Sequence, residues 1–458
     1  MRKTPVDVWI LSPIKKFISG QTTSGIVLFT AAVVALILSN SPISEQYLQI
    51  WEYKLTIGYE NFMISKTLHH WINDGLMAVF FFVIGLELKR EILAGELSKP
   101  KDALLPIVAG AGGMIVPALF YLVFNKEYEA AAGWGIPMAT DIAFALGILY
   151  MLGNKVPISL RVFLTALAIA DDLGAVLVIA FFYTSEISFF SLGIGAIFLT
   201  VLVTANYMGV RSTNFYGVVG VGGLWLAFLL SGVHATIAAV LAAFTIPAYV
   251  KIDDRMFAKK VRFLSAEFEK CRTDNTQLVT VSQLHVLEKF RHLTKDALTP
   301  LQRLEHSLHP FVAFVVLPVF ALANAGVSFG GNFLQHLSSP VTQGIIFGLV
   351  VGKFIGIVGS TRLMVALNLA SLPKNVNWNH ISGIGLLAGV GFTMSLFITE
   401  LAFTSNVLVQ QAKIGILVAS FIAGLLGYFF LKKGIQKEQK RKKKLQAIET
   451  TTKDALQS

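Results

Sequence analysis

Residues 165–183 read TALAIADDLGAVLVIAFFY, and apart from the adjacent Asp171 and Asp172 this stretch carries no charge. It is long enough for a membrane helix, which needs about 20 apolar residues to cross the hydrocarbon core. A single carboxylate at the centre of such a helix costs about 2.5–3.5 kcal/mol on insertion scales, and two neighbouring carboxylates also repel each other. The pair therefore predicts a functional site inside the membrane that holds a cation, passes protons or cuts a bond.

The apolar character of this stretch extends over the whole chain. Of its 458 residues, 54% are hydrophobic and 14% are charged, with a mean hydropathy of +0.66, whereas soluble domains carry about 25% charged residues. The sequence therefore predicts an all-α polytopic membrane protein. The single Cys271 excludes an internal disulfide framework. The net charge of +11 lies mainly in loops and the tail, so we expect no nucleic acid as a partner.

Twelve stretches approach the length of about 20 residues that a membrane helix needs. They are residues 23–40, 71–88, 103–124, 130–152, 156–183, 186–208, 214–231, 232–249, 309–328, 340–369, 380–400 and 409–431. Lys and Arg concentrate in alternate loops and in the tail, which predicts that both termini are cytoplasmic.

This topology divides the chain into three parts. We expect a cytoplasmic N-terminal segment over residues 1–22, a transporter domain over 23–431, and a basic, partly disordered cytoplasmic tail over 432–458. Residues 250–308 are charged and predict a long cytoplasmic loop with short amphipathic helices. The loop 41–70 contains YLQIWEYKLTIGY, whose alternation is compatible with a hairpin.

The depth of the aspartate pair follows from its distance to Arg161, which we place at the cytoplasmic edge of the span. Asp171 lies ten residues further on, which is about 15 Å along a helix and about half of the hydrocarbon thickness. Because successive residues of a helix project about 100° apart, Asp171 and Asp172 can contact different partners. Two aspartates that merely pack against a polar crevice are the alternative.

A third carboxylate, Asp141, lies in a polar interruption, GWGIPMATDIAFALG, directly after Thr140. Gly and Pro interrupt a membrane helix, and the backbone groups that they free must bond to protein or water. A carboxylate at this position can neutralise helix ends or help to hold a cation. It can also simply cap the N-terminus of a helix, and the two interpretations are compatible.

Lys353 carries a charge near the middle of another span, QGIIFGLVVGKFIGIVGS. An ammonium group at that depth needs a partner, and Asp171 or Asp172 is the obvious candidate. A lysine whose ammonium group reaches back to the interface is the alternative. A second glycine-rich interruption, GLLAGVGFTMSLFITE at residues 385–400, resembles the one around Thr140. Paired interrupted helices indicate a transporter site built on inverted repeats.

A separate cluster of charged residues is predicted at the cytoplasmic edge, where two spans meet the loops. Its members are Glu87, Lys89, Arg90, Glu91, Glu305, His306 and His309. Histidine titrates near neutral pH, so an interfacial network of this kind can respond to pH. His306 and His309 share one helix face and could instead bind a metal ion.

Three classes of function fit an intramembrane aspartate pair. The first is exchange of a cation for protons at one site, with no cofactor and no enzymatic activity. The second is an intramembrane aspartyl protease, which needs two facing carboxylates from two segments, as Asp141 and Asp171 could in principle provide. The third is a proton-coupled symporter of an organic ion, which needs a larger pocket.

At these residues the chain resembles the NhaA family of Na+/H+ antiporters. The matching strings are WINDGLMAVFFFVIGLELKRE (71–91), ATDIAFALG (139–147), ALAIADDLGAV (166–176), SGVHAT (231–236), RLEHSLHP (303–310), FALANAGV (320–327), GKFIGI (352–357) and GFTMSLFI (391–398). They run in family order through almost the whole chain.

The resemblance implies twelve transmembrane helices with inverted repeats, and two unwound helices that cross at the midplane. It implies a pH-regulated, electrogenic Na+(Li+)/H+ antiporter of the bacterial inner membrane. Asp171 and Asp172 would bind Na+, with Asp172 the more direct ligand, while Lys353 would pair with Asp171 in the ion-free state. Thr140 and Asp141 would lie at the crossing.

The resemblance also implies roles outside the membrane centre. Glu87, Arg90, Glu91, Glu305, His306 and His309 would form the pH-responsive cluster, and His234 would be a modulator on the periplasmic side. A hairpin in the loop 41–70 would join two copies into a homodimer. The chain departs from the family at Phe311, where familiar members have Trp, and in its longer loop 250–308.

Overall fold

The computed structural model describes residues 23–457 except 60–61, 185–186, 272–277, 329 and 331–332. The predicted N-terminal segment 1–22 lies outside the described residues. The described chain is mostly helical, with one small sheet, as expected where backbone groups in lipid must be paired within a helix.

The chain begins with a helix and a hairpin. Its first elements are α1 (Thr23–Ser39), α2 (Ser44–Glu52), β1 (Lys54–Tyr59), β2 (Phe62–Thr67) and α3 (Leu68–His70). The strands are antiparallel, with Lys54 opposite Thr67. The Thr67 side chain then accepts the His70 N–H and caps α3. The hairpin that the alternation in 41–70 suggested is therefore confirmed.

Six further helices complete the first part of the molecule. They are α4 (Met77–Ala94), α5 (Pro100–Phe124), α6 (Tyr128–Ala131), α7 (Ile142–Met151), α8 (Ile158–Phe182) and α9 (Phe189–Tyr207). A π-helical segment over Trp71–Leu76 joins α3 to α4, and 3-10 turns cover Glu96–Ser98, Ala132–Met138 and Gly153–Lys155.

The middle of the chain contains seven more helices. They are α10 (Thr213–Val219), α11 (Leu226–Leu229), α12 (Ala235–Thr245), α13 (Asp254–Glu269), α14 (Val281–Ala297), α15 (Pro300–Phe311) and α16 (Leu317–Asn324). π-Helical segments join α10 to α11 over Gly220–Trp225 and α15 to α16 over Val312–Val316.

Six helices end the chain. They are α17 (Phe333–Leu337), α18 (Pro340–Phe347), α19 (Lys353–Ala366), α20 (Trp378–Leu387), α21 (Phe392–Ala402) and α22 (Asn406–Gln457). A π-helical segment over Gly348–Gly352 joins α18 to α19. The backbone of α22 continues as a helix to Gln457, and the expectation that the tail is partly disordered stays a prediction.

Within the described residues, seven helices are long and apolar enough to cross a bilayer, or up to nine if each bent pair counts as one span. The twelve predicted spans therefore remain a prediction. The span predicted over 232–249 contains only the 11 residues of α12. The end of α4 carries Glu87, Lys89, Arg90 and Glu91, which lowers the apolar character of that segment.

The helices form two groups, each with its own apolar core. The first group contains α5, α7, α8 and α18–α22, and residues such as Leu105, Leu164 and Ile384 fill its core. The second group contains α1, α4, α9–α12, α15 and α16, with Leu86, Leu224 and other side chains in a core of its own. A third cluster joins the groups. The candidate site lies in the first group.

The connection over 250–308 contains two amphipathic helices, as its sequence predicts. Leu264 of α13 packs with Val286 and Leu293 of α14, which gives this helix pair a small core of its own. Lys289 pairs with Glu267 at 2.8 Å. The long connection is therefore a structured pair of helices.

Close approach of α5 and α19 positions the lysine of the site. A Cβ atom added to Gly356 of α19 would lie 2.1 Å from the carbonyl oxygen of Gly112 on α5, so both positions require glycine. Small residues allow such close contact between membrane helices. On the neighbouring face of α5, a Cβ atom at Gly110 would lie 3.2 Å from a carboxylate oxygen of Asp171. The glycines of α5 thus let both α8 and α19 pack closely against α5.

Candidate ion site between two interrupted helices

The aspartate pair lies in the middle of α8 and is removed from the surface. Asp171 is 0% exposed and Asp172 is 1% exposed. The two side chains leave the helix in different directions, as adjacent positions of a helix must, and they meet different surroundings. Charges at such a depth persist only with partners or with a function that uses them.

Asp171 forms a buried triad with Thr140 and Lys353. The ammonium group of Lys353, the first residue of α19, donates to Asp171 Oδ2 and, at 2.8 Å, to the Thr140 hydroxyl. The hydroxyl in turn donates to Asp171 Oδ2 at 2.7 Å, with the carbonyl oxygen of Ala388 as an alternative acceptor at 3.0 Å. Of the two partners that the sequence allows for Lys353, the structure places Asp171 in contact with it.

Asp141 combines the two interpretations that its sequence context allows. Its Oδ1 accepts the Phe144 N–H at 3.0 Å and so caps α7. Its Oδ2 accepts the N–H of Thr393 at 3.1 Å and the hydroxyl of Thr393 at 2.6 Å. Because Thr393 opens α21, the carboxylate joins the first turns of two helices and lies where their N-terminal dipoles favour negative charge.

The two interruptions lie against each other. Residues 139–141 separate the 3-10 turn from α7, and residues 388–391 separate α20 from α21 at a bend of 44°. The Asp141 N–H donates to the carbonyl of Val390 at 2.7 Å, and the Ser395 hydroxyl donates to the carbonyl of Ile136 at 2.7 Å. The backbone groups freed by one interruption are thus paired by the other, as the membrane interior requires.

Asp172 differs from its neighbour because Lys353 and Thr140 pair with Asp171 and not with Asp172. Among the described residues, neither Asp172 Oδ1 nor Asp171 Oδ1 has a hydrogen-bond donor. A buried carboxylate oxygen without a donor is costly, and it can accept a proton or a cation. Hard cations prefer oxygen ligands, and the Thr140 hydroxyl and the Ala388 carbonyl lie close to Asp171. This donor set fits a small monovalent cation.

A cavity of about 740 Å³ leads towards the site between the two groups of helices. Its walls include Ile142 and Ala143 at the start of α7, and Thr165 of α8. Thr165 lies seven residues before Asp172, which places it on the same helix face about 10 Å away. The cavity therefore offers a water-accessible approach to the face of α8 that carries Asp172.

The cluster that the sequence places at the cytoplasmic edge lines the mouth of this cavity. Glu87, Arg90, Glu305, His306 and His309 all contribute to its wall. Arg90 donates to Glu305 and, at 2.9 Å, to Glu91. The structure thus brings the predicted cluster together as an ion network, one of the two interpretations left open. Among the described residues, no three His, Cys, Asp or Glu side chains are grouped closely enough to hold a metal ion.

His234 lies just before α12 and is connected to the first interruption. Its Nε2 lies 2.7 Å from the carbonyl oxygen of Tyr183. The Tyr183 hydroxyl donates to the carbonyl of Ala132 at 2.7 Å and accepts the N–H of Gly135 at 3.2 Å. His234 therefore contacts the segment that positions Thr140 through one intervening residue.

Sequence reasoning misses the contacts of Thr393, Tyr183 and Lys89. Thr393 comes directly after the glycines of the second interruption, and this position is the sequence signal that could have predicted its contact. Lys89 is predicted as a member of the charged cluster, yet its ammonium group donates to the carbonyls of Phe244 at 2.6 Å and Ile246 at 2.5 Å. It thus satisfies acceptors at the C-terminus of α12, where a cation is favoured.

Buried carboxylates and a lysine, set between interrupted helices and approached by a cavity, define a membrane transporter for small cations. The family model described as Na+/H+ antiporter 1 matches residues 15–431. The chain is 49% identical over 429 residues to the Na+/H+ antiporter NhaA of Oleidesulfovibrio alaskensis, covering 93% of this chain and 95% of that protein. It is 50% identical over 428 residues to the protein of the same name from Acidithiobacillus ferrooxidans, covering 92% and 97%.

The chain therefore belongs to the NhaA family of Na+/H+ antiporters. The family resemblance seen in the sequence is confirmed. The curated relatives are named as transporters, and the apolar helices of this chain agree with a protein that crosses the membrane several times.

Proposed function

We propose that the protein is a pH-regulated, electrogenic antiporter that exports Na+ or Li+ in exchange for protons at Asp171 and Asp172. The observation that carries this proposal is the pairing of two unlike carboxylates. Asp171 is neutralised by Lys353, and the adjacent Asp172 keeps a buried oxygen without a donor among the described residues. One carboxylate is thus available to an incoming cation while the other is held by an internal cation.

Competition between Na+ and protons at this pair is sufficient for coupling. The two carboxylates titrate as one coupled unit, and they must lose protons before they hold Na+. The ion would take oxygen ligands from Asp172, Asp171 and the Thr140 hydroxyl, with Asp172 the more direct ligand. The positive charge of the bound Na+ would release Lys353 from Asp171. Proton uptake by the carboxylates would later expel the Na+ ion.

Alternating access would carry the loaded site from one face of the membrane to the other. The two interruptions support this step because hydrogen bonds of Thr140, Asp141 and Thr393 join the two broken helices directly. In this proposal the joined helices would move together. Inverted repeats and a crossing at the midplane are the architecture that this arrangement favours. In this proposal, all twelve predicted spans surround the site.

Electrogenic exchange follows from the number of ionisable groups at the site. When Na+ binds, Asp172 would give up one proton, and the ammonium group of Lys353, released from Asp171, would give up a second. Each cycle would then move more protons inward than Na+ ions outward. The membrane potential would then help to drive export. No cofactor is required, because proton transfer and ion binding use side chains of the chain itself.

The network of Arg90, Glu91 and Glu305 supports regulation by cytoplasmic pH. Arg90 and Glu305 line the cavity through which ions would reach Asp172, together with Glu87, His306 and His309. Glu91 is bound to Arg90 beside it. Carboxylates and histidines that share a water-filled space change their net charge with pH. This change would alter the entry of Na+, with His234 modulating the opposite, periplasmic side.

We further propose a bacterial inner-membrane protein with both termini in the cytoplasm, which forms a homodimer through the hairpin. The hairpin supports the last point because Leu55, Ile57 and Met63 are exposed on it. A two-stranded hairpin is marginally stable alone, and its free edge can pair with another chain. Membrane lipids would surround the dimer, and anionic lipids would attract the basic tail.

A protease dyad of Asp141 and Asp171 receives less support. Asp141 accepts bonds from Thr393 and Phe144, whereas Asp171 accepts them from Lys353 and Thr140. Two carboxylates that share a proton, as in aspartic proteases, would need to face each other.

Exchange in proteoliposomes with purified Asp172→Asn tests the proposed function. Na+-dependent proton movement should fall by about a hundredfold or more, because the amide cannot replace the anionic ligand. Asp102→Asn is the matched control, since Asp102 is an exposed carboxylate at the start of α5. The measurement is the pH change in the vesicles after addition of Na+, Li+, K+ or Ca2+, with and without an imposed membrane potential.

The outcomes separate the parts of the proposal. Normal exchange by Asp172→Asn would eliminate the paired-aspartate site. Exchange that does not respond to the potential would eliminate electrogenicity but leave the site in place. A response to Na+ without a response to Li+ would restrict the transported ions to Na+.

A further inference from the structure

A second polar cluster lies at the opposite end of the molecule from the cavity, and the transport site does not use it. It consists of His69, Asn73, Asn324, Glu400 and Lys413, and we call it the outer cluster. These residues come from α3, the π-helical segment before α4, the end of α16, the end of α21 and α22.

The imidazole of His69 lies between the asparagines and the carboxylate of the outer cluster. Its Nε2 lies 2.9 Å from Asn324 Oδ1 and 3.8 Å from Glu400 Oε2. The orientation of Asn324 is set by its Nδ2, which donates to Asn73 Oδ1 at 3.0 Å and to the carbonyl of Phe320 at 3.1 Å. Asn324 Oδ1 is therefore an acceptor, and His69 Nε2 carries a hydrogen towards it.

The cluster joins the two groups of helices. Asn324 ends α16 of the second group, and His69 lies on α3, which leads through the π-helical segment into α4 of that group. Glu400 and Lys413 belong to helices of the first group. Lys413 Nζ lies 2.9 Å from Glu400 Oε1 and holds the carboxylate within its own group. The contact between His69 and Glu400 thus crosses the boundary along which the groups would move, and it is an ion pair only when His69 is protonated.

Apolar packing closes the same end of the boundary. Phe397, one turn before Glu400 on α21, is 1% exposed. Its ring lies 5.4 Å from that of Phe81 on α4 and 6.4 Å from that of Phe320 on α16. The outer cluster therefore lies over a packed aromatic contact between the groups, whereas the boundary is open at the other end.

The distance between the two ends fits the thickness of a membrane. His69 precedes Glu87, which lines the cavity, by eighteen residues of nearly continuous helix. That separation is about 27 Å along the axis, close to the hydrocarbon thickness of about 30 Å. The structure is thus open on one side of the membrane and held together on the other.

We propose that His69, Glu400 and Lys413 are positioning residues that form an outer latch, which stabilises the state open to the cytoplasm. The latch must break before the site can open to the other side. This inference rests on the proposed alternating access, because a latch has meaning only if the groups move. A contact that exists in one state alone shifts the equilibrium between the states towards that state.

Protonation of His69 would weaken the latch. Burial lowers the pKa of His69 from its ordinary value, while the charge of Glu400 opposes this effect. The other charged or titratable groups facing it are Lys413, His70 and Asp74. Because its pKa is lowered in the latched state, His69 binds a proton more weakly there than in a state that exposes it to water. Outer acid would therefore favour the state open to the other side of the membrane.

The population of that state can be measured with a cysteine in the cavity. In a Cys271→Ser background, Thr165→Cys should react with a charged thiol reagent only while the cavity is open. Adding Glu400→Gln or Lys413→Met should slow the reaction by roughly three- to fivefold, as expected for a partly exposed ion pair. Lys413→Arg, which keeps the charge, should restore the rate.

The pH dependence of the same reaction tests the role of the imidazole. After correction for the reactivity of the thiol, the rate should fall in the background protein as the pH drops through the lowered pKa of His69. His69→Gln should abolish this fall. Glu45→Gln is the matched control, because Glu45 is exposed at the same end of the molecule, and it should leave the rate unchanged.

A second measurement guards against variants that are merely unfolded. A short bifunctional thiol reagent that joins His69→Cys to Glu400→Cys should arrest exchange. In a parallel sample that also carries Thr165→Cys, the cysteine in the cavity should remain reactive. Unchanged reaction rates in every latch variant, with normal Na+/H+ exchange, would overturn the latch and leave the proposed function intact. Slower reaction in a protein that exchanges no Na+ would retain the latch and overturn the function.

Discussion

The ion site and the cytoplasmic cluster are built from the same residue types but differ in burial. Asp171 and Lys353 are both fully buried, and their ion pair is surrounded by helices. Arg90 is 41% exposed in its side chain and pairs with Glu305 at the mouth of a cavity. One ion pair is dry, and the other is in contact with water.

This difference determines what each pair can do. Removing one member of a buried ion pair leaves a charge that neither solvent nor protein compensates. An exposed pair loses little, because water and salt replace the missing partner. The buried pair is therefore suited to bind or release an ion with a large change in energy, and the exposed network is suited to small adjustments.

The largest expected effect is on the stability of the buried pair. Lys353→Met should lower the free energy of unfolding by about 3–5 kcal/mol, because it leaves Asp171 buried without a cation. Arg90→Met in the exposed network should lower it by about 1 kcal/mol or less. Chemical denaturation of the two variants in the same detergent measures both values.

A double variant checks the physical reason. Lys353→Met combined with Asp171→Asn should recover part of the lost stability, because neither charge is then left alone. An equal loss of unfolding free energy in Lys353→Met and Arg90→Met would contradict the contrast between the buried Lys353–Asp171 pair and the Arg90–Glu305 pair at the cavity.

A smaller effect is expected from the helix contact that holds the dry site together. Gly356→Ala should lower the free energy of unfolding by about 1–3 kcal/mol, because its Cβ would meet the backbone of Gly112 at 2.1 Å. Gly359→Ala on the same helix is the control, since nothing lies within 4 Å of a Cβ at that position. Thermal denaturation of both variants gives the comparison, and equal melting temperatures would refute the close packing of α5 and α19.

The smallest effect is expected from the wet cluster. Glu305→Gln should shift the pH profile of Na+-dependent exchange by less than about one unit towards acid pH, because Glu87 loses a negative neighbour and gives up its proton more easily. The shift should shrink as ionic strength rises. Glu269→Gln, at an exposed carboxylate of α13, should leave the profile unchanged. A loss of all activity in Glu305→Gln would place Glu305 in the transport path itself.

The sequence predicts the membrane class well because insertion is governed by hydrophobicity alone. The sequence does not determine the number of spans as well, because some spans contain π-helical segments or short helices such as α12 in place of one long apolar helix. The helix α22 continues through the basic tail to Gln457, because a basic composition does not prevent helix formation where a membrane helix already provides the nucleus.

For the site, the sequence locates the charges but leaves their pairing open. It offers Asp171 and Asp172 as equal partners for Lys353, because helix geometry shows only that they point in different directions. Thr393 is 252 positions from Asp141, so their contact has no local signal. The outer cluster likewise combines residues from distant segments.

The sequence by itself thus determined that charges lie in the membrane and that the helices around them are interrupted. It could do so because the energetic penalty of a charge in lipid depends on residue type and depth. Only the tertiary structure decided that Lys353 neutralises Asp171 and leaves an oxygen of Asp172 without a donor among the described residues. That choice depends on the close contact of α5 and α19 at Gly112 and Gly356, which brings the ammonium group to one carboxylate and not to the other.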